Sequence, residues 1–310
     1  MEPTVMIGAS VVAALVGSIF FINDDSDGDE HSDPQPEPAP EPGPEPQLHE
    51  GTDGADEITS YDPEADEDGT LSSLDGDDTI RFEEGEEIEW NIDSGAGNDE
   101  IDIGYSYRNE IHGGDGNDHI QMIDGADTEI HGDAGNDTIS ASDSEYYDFG
   151  NLSLFGGEGD DVLQVGKLEG VTQLEFDGAD GPDLSGGEGS DSFDLSVELD
   201  EELISLADFY GNNDVGSTEG PSDEPRSNDI GRISDFVSGE DKLTIDPVTH
   251  AEAATYLGHD IVQSEDETST GITLHYAVKG QTDPVLHATL WLDGTPSIAE
   301  GDLQFVNLPA

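Results

Sequence analysis

The sequence predicts an all-β protein: a parallel β-roll, that is, a right-handed β-solenoid, followed by a β-rich C-terminal module. Three observations predict it. A nine-residue unit rich in glycine and aspartate recurs seven times, apolar residues fall in three columns at fixed offsets from that unit, and the residues after Asp229 alternate apolar and polar side chains as strands do. An apolar N-terminal helix and a disordered acidic, proline-rich linker are expected ahead of the roll.

Val5 to Ile22 is a run of 18 residues without a charge. At about 1.5 Å per residue it reaches about 27 Å, close to the hydrocarbon thickness of a bilayer. Residues 1–22 are therefore expected to be a transmembrane anchor, with a cleaved signal segment as the alternative. No Lys or Arg precedes the apolar run and no small-x-small cleavage pattern follows it. Residues 23–48 change to an acidic cluster and then to proline at every second position from Pro34 to Pro46. Such a segment has nothing to bury, and its prolines favour an extended polyproline II spacer.

The array is expected over residues 49–196. Its units read GTDGADEIT from Gly51, SLDGDDTIR from Ser73, SGAGNDEID from Ser94, GGDGNDHIQ from Gly113, GDAGNDTIS from Gly132, GGEGDDVLQ from Gly156 and GGEGSDSFD from Gly186. The fixed points are a glycine at the fourth place, an aspartate at the sixth and an apolar residue at the eighth. Successive aspartates lie 22, 21, 19, 19, 24 and 30 residues apart. That spacing suits one turn-and-strand unit plus a degenerate half-coil per full coil, so one edge of the solenoid carries all the good turns. One core column reads Ile58, Ile80, Ile101, Ile120, Ile139, Leu163, Phe193, and the next reads Phe82, Ile103, Met122, Ala141, Val165, Leu195. The returning strand adds Leu71, Ile92, Ile111, Ile130, Leu154 and Leu184.

A connecting segment follows at 197–228, with a short helix-like pattern at its start. From 229 to 310 the chain reads as antiparallel strands of a separate C-terminal module, with Phe236, Trp291 and Phe305 as core candidates.

The chain has 310 residues, 76 acidic against 7 basic, and a formal charge of −69. A compact form would repel itself unless cations were part of it. Nucleic acid and anionic lipid surfaces are excluded as partners, since both need clustered Lys and Arg; contact with a membrane is expected only through the N-terminal segment. The absence of cysteine removes disulfides, thiolate zinc sites and iron–sulfur clusters.

In a G-G-x-G-x-D-x-U-x unit the glycines allow positive φ in a tight turn, so backbone carbonyls point into the gap between turns, and the aspartate adds a carboxylate. All-oxygen donor sets with flexible geometry suit Ca²⁺ rather than Mg²⁺. Several calcium ions are therefore expected. Their ligands are Asp56, Asp78, Asp99, Asp118, Asp137, Asp161 and Asp191, together with first- and third-place residues Gly113, Asp115, Gly132, Ala134, Gly156, Glu158, Gly186 and Glu188. His112 and His131 occupy one place in adjacent coils, with His119 nearby; they read as surface histidines of a ladder, with a transition-metal site as the alternative.

The units GGDGNDHIQ, GGEGDDVLQ and GGEGSDSFD resemble the hemolysin-type calcium-binding repeats of bacterial RTX proteins, over about Gly51 to Leu195. The resemblance implies a parallel β-roll, calcium ligation by the sixth-place aspartates and neighbouring carbonyls, and export by type I secretion machinery. The stretch ISDFVSGEDKLTI from Ile233, with DGTPSIAEGDLQFV near the end, is similar to the C-terminal secretion module that follows such repeats in serralysin-like proteases. Ser73 and Ser94 depart from the family's first-place glycine.

The expected function is calcium binding and calcium-dependent folding of a secreted or cell-surface protein, not an enzyme. His49-Glu50 is not completed to a zinc-protease HExxH pattern, and no G-x-S-x-G elbow is present. A polysaccharide-modifying enzyme would need cations for uronate substrates, and the array holds only Arg81, Arg108 and Lys167. A cell-surface adhesion or matrix component is the alternative role.

Overall fold

The structure is a computed structural model that describes residues 47–59, 69–88, 90–123, 125–142, 152–169, 182–198, 226–247, 254–264, 267–278, 286–295 and 297–308. The segment expected as an anchor or signal, all but the end of the linker, and residues 199–225 of the connecting segment lie outside these. Among the described residues no helix is long and apolar enough to cross a membrane.

Among the described residues twenty-one strands, β1 to β21 in chain order, form two sheets. The first takes β1 (Gln47–Glu50), β3 (Gly69–Ser72), β5 (Trp90–Asp93), β7 (Glu110–Asp115), β10 (Glu129–Ala134), β12 (Ser153–Glu158) and β14 (Asp183–Glu188), all parallel neighbours in that order. The second takes β2 (Glu57–Ile58), β4 (Thr79–Ile88), β6 (Glu100–Tyr107), β8 (His119–Ile123), β11 (Thr138–Ser142), β13 (Val162–Glu169) and β15 (Ser192–Glu198), again parallel. β9 (Gly125–Ala126) pairs with β6 beside this path. The chain alternates between the sheets, which is the expected β-roll.

The three apolar columns are in register and buried. Ile58, Ile80, Ile101, Ile120, Ile139, Leu163 and Phe193 sit opposite one another along the second sheet, and Leu71, Ile92, Ile111, Ile130, Leu154 and Leu184 along the first. Alternation along each strand sends these side chains to the shared core and the intervening polar ones outward. Three columns give each coil a narrow core, so the fold is stabilised between coils rather than within one.

The two edges of the roll differ. Through Asp191, every passage from the first sheet to the second is one motif turn of constant length, ending at the sixth-place aspartate; the last passage, from Ile233 to Asp241, is one residue longer. The larger changes in coil length fall between the end of a second-sheet strand and the next first-sheet strand: between Ile58 and Gly69, Ser142 and Ser153, Glu169 and Asp183, and Glu198 and Arg226, with a smaller one in the bulge of β4 between Phe82 and Glu87.

The C-terminal region corrects the sequence expectation. Its strands were expected to be antiparallel and separate, yet β16 (Arg226–Ile233) pairs parallel with β14, and β17 (Lys242–Asp246) parallel with β15. β20 (Leu286–Leu292) and β21 (Leu303–Phe305) add parallel to these. Antiparallel pairing is confined to β19 (Thr270–Val278), between β20 and the edge strand β18 (Ala254–Gln263). The physical reason is column continuity: Leu243, Ile245 and Ile233 extend the three array columns and are buried with them. Phe236 is buried as expected and Phe305 packs against the core. Trp291 is not a core residue; it lies between buried Leu290 and Leu292 on the opposite face, with its ring against Gly271.

The second place of the turn has positive φ in six of the seven units. Gly95, Gly114, Gly157 and Gly187 occupy it without cost, but Leu74 is held there at φ 75° and Asp133 at φ 71°. A non-glycine residue in this region costs about 1–2 kcal/mol, part of which glycine returns through its more flexible unfolded chain. Leu74→Gly is therefore expected to raise the thermal midpoint by about 2–4 °C, as measured by circular dichroism.

Candidate metal centre

The turn edge brings the predicted aspartates into one line. All seven are buried, and the six from Asp78 to Asp191 each use one carboxylate oxygen in the same way. The N–H of Asp56 donates to Oδ1 of Asp78 at 2.7 Å, that of Asp78 to Asp99 at 2.7 Å, that of Asp99 to Asp118 at 2.8 Å, and that of Asp118 to Asp137 at 2.8 Å. Asp137 donates to Asp161 at 2.8 Å and Asp161 to Asp191 at 2.9 Å. Each turn thus closes on the carboxylate of the next coil.

Sequence reading missed an eighth member. Asp191 donates to Oδ1 of Asp241 at 3.0 Å, and Asp241 is the sixth residue of FVSGEDKLT from Phe236. The glycine, aspartate and apolar places were all legible there; an apolar start and a separation of 50 residues hid the unit. A second ladder was also missed, at the fifth place. There Asn98, Asn117, Asn136, Asp160 and Ser190 each donate N–H to the side chain of Asp77, Asn98, Asn117, Asn136 or Asp160 in the coil before, at 2.8–3.0 Å.

The other carboxylate oxygen separates the ladder's ends from its middle. At the start, Oδ2 of Asp56 accepts the N–H of Thr52 at 2.6 Å. At the far end, Oδ2 of Asp241 accepts the N–H of Val237 at 2.7 Å, and Asp302 beyond it accepts the Lys242 ammonium at 2.8 Å, which holds its carboxyl below the usual range. In the middle, Oδ2 of Asp78, Asp99, Asp118, Asp137 and Asp161 is buried and meets no donor.

These oxygens face the first-place residue. A β carbon on Gly113 would lie 2.7 Å from Oδ2 of Asp118 and 2.9 Å from the carbonyl oxygen of Gly132. On Gly132 it would lie 2.5 Å from Oδ2 of Asp137 and 2.6 Å from the carbonyl of Gly156, and on Gly156 2.4 Å from both Oδ2 of Asp161 and the carbonyl of Gly186. Each glycine leaves a cradle between a carboxylate oxygen and a carbonyl, with no proton donor in it. The third-place carbonyls of Asp115, Ala134, Glu158 and Glu188 also point between turns, and each accepts a glycine N–H from the coil before at 2.7–2.8 Å.

Burial makes charge costly here. It pushes Asp137 up to about 7, helped by the neighbouring Asp118 and Asp161 charges and opposed by the Asp118 N–H. Asp99 and Asp191 are pushed up to about 6, and Asp78, Asp118 and Asp161 are raised, all chiefly by burial. A buried carboxylate oxygen without a donor is stable only when a cation or a proton meets it. The donor set is carboxylate and carbonyl oxygen throughout, which fits a hard divalent cation at Asp118, Asp137 and Asp161.

The histidines form a ladder, as expected. His112 stacks on His131, and His131 on Phe155, each pair 4.6 Å apart and within 12° of parallel. Ligand atoms of Glu110, His112 and His131 lie within 4.8 Å of one another, but nearly parallel rings aim their nitrogen lone pairs side by side rather than at one point. Asp133 holds His112 Nδ1 at 2.8 Å, and although burial opposes charge on that ring, Asp133 and Glu110 raise its pKa.

No known protein-family model matches the chain, and no curated protein matches it.

Proposed function

We propose that this chain binds several calcium ions in its glycine–aspartate turns and folds as it does so, as a secreted or cell-surface protein. The row of buried, donor-less carboxylate oxygens carries this reading. The carboxylates of Asp118, Asp137 and Asp161, with the first-place carbonyls of Gly132, Gly156 and Gly186, would hold the ions. A divalent ion supplies positive charge between turns that otherwise repel. Carboxylates one coil apart, about 4.8 Å, repel by about 0.9 kcal/mol in water and about 3.5 at an effective dielectric of 20. Binding energy at such a site is folding energy.

Export by type I secretion rests on the resemblance of the units and of the C-terminal stretch; a chain unfolded at low cytosolic calcium and folded at millimolar calcium outside suits that route. The reading includes no catalysis. Arg81 is engaged by Glu100 at 2.6 Å and Arg108 pairs with Asp127 at 3.6 Å, so two of the array's three cations are already committed to carboxylates.

The test is far-UV circular dichroism of the full chain titrated with Ca²⁺, with Mg²⁺ as control. A cooperative coil-to-β transition specific to calcium is the expected result. A chain already folded in chelator and indifferent to calcium would overturn the proposal.

A further inference from the structure

Two coils of the ladder differ from the rest at one atom. Where Gly113, Gly132 and Gly156 leave a cradle, Ser73 and Ser94 place a fully buried hydroxymethyl group. The hydroxyl of Ser73 donates to the carbonyl of Ser94 at 2.9 Å, and that of Ser94 to the carbonyl of Gly113 at 2.6 Å. These are the first-place carbonyls of the next coil, the same oxygens that face a bare carboxylate across the glycine cradles. The serine β carbon fills the space, and its hydroxyl proton occupies the carbonyl that would otherwise face a cation.

We infer that Ser73 and Ser94 are built-in plugs: their coils take no calcium, and the ions bind along the stretch from Asp118 to Asp161, whose cradles are open. This rests on the calcium reading above and divides the predicted ligands: Asp78 and Asp99 belong to plugged coils, whereas Asp118, Asp137 and Asp161 belong to open ones. The plug occupies the carbonyl and the space but brings no positive charge to Asp78 and Asp99, whose Oδ2 has no hydrogen bond of good geometry although the serine hydroxyl lies beside it. Replacing the serine by glycine should therefore convert a plugged coil into a binding one. Alanine should not, because it removes the hydroxyl but keeps the β carbon in the cradle.

Calcium stoichiometry of the full chain, measured by equilibrium dialysis and by titration calorimetry with Ca²⁺ alone, decides the matter. Ser94→Gly is expected to bind one ion more than the parent, and Ser73→Gly with Ser94→Gly two more. Ser94→Ala is expected to keep the parent's count and melt at a lower temperature. If Ser94→Gly fails to fold, Ser73→Gly, which loses a single hydroxyl hydrogen bond, supplies the same readout. A parent that binds calcium while the glycine variants gain none overturns the plug and leaves the calcium reading standing. A gain in Ser94→Ala also overturns the plug, and a parent that binds no calcium overturns both.

Discussion

Gly116→Ala is expected to unfold the central coils even when calcium is present. Gly116 is a fourth-place glycine at φ 149°, and a β carbon there would lie 1.4 Å from the carbonyl oxygen of Gly97 and 2.6 Å from its carbon. Both obstacles are backbone, so no rotamer relieves them. The coils would have to part, breaking the bond from the Gly116 N–H to the Ala134 carbonyl at 2.7 Å and the one from Gly97 to Asp115 at 2.8 Å. A loss above about 4 kcal/mol follows, in the range reserved for broken backbone packing. Gly54 is the control: it holds the same place in the first unit, yet a β carbon there meets nothing within 4 Å. Gly54→Ala is expected to stay within about 0.5 kcal/mol of the parent. Circular dichroism of both variants in calcium reads the difference.

The second large effect is an inverted pH dependence in calcium-free buffer. The ladder carboxyls hold their protons more tightly in the folded chain than at the ordinary 3.8, Asp137 up to about 7 and Asp99 and Asp191 to about 6. The folded form therefore binds more protons than the unfolded one. Stability is full below about pH 4 and is lost as the pH rises through about 6 to 7. Calcium should reverse the trend, because metal ligation needs the ionised carboxylate. Asp137→Asn mimics the protonated acid: its oxygen can keep the Asp118 N–H, and its amide can donate where Oδ2 has no donor. In calcium-free buffer this variant is expected to stay folded to a higher pH than the parent and to show a flatter pH profile, and in calcium to bind fewer ions. A variant that unfolds at or below the parent's pH without calcium would mean that Oδ2 of Asp137 is not where charge is penalised.

Much of the architecture was legible because two periods coincide. Alternation marked Ile101 and Ile103 as inward-facing, and the fixed distance from each aspartate put Ile58 through Phe193 in one column. The candidate aspartates were legible for the same reason, since a side chain repeated at one place in every coil must form a line. What the residues could not tell was which strands become neighbours across a long separation. Leu243 and Ile245 alternate like residues of any strand, and only pairing with Phe193 and Leu195 shows that they continue the roll. Trp291 misled because size was taken for burial, whereas its parity with Leu290 and Leu292 places it outside. The serines at 73 and 94 were visible as departures, but their meaning depends on where a hydroxyl proton points, which spacing does not carry.

The unequal edges of the roll have a consequence for how such a chain can change over time. On the turn edge, length is held constant through Asp191, and the one extra residue, between Ile233 and Asp241, falls in the last turn of the ladder. Outside those turns the coil-to-coil distance already ranges from 19 to 50 residues while the core columns stay in register. Lengthening a loop costs little, about 0.6 kcal/mol per doubling. New recognition surfaces can thus be acquired, exchanged or grafted along one side of the rod while the other side stays invariant, so novelty and stability do not compete for the same residues.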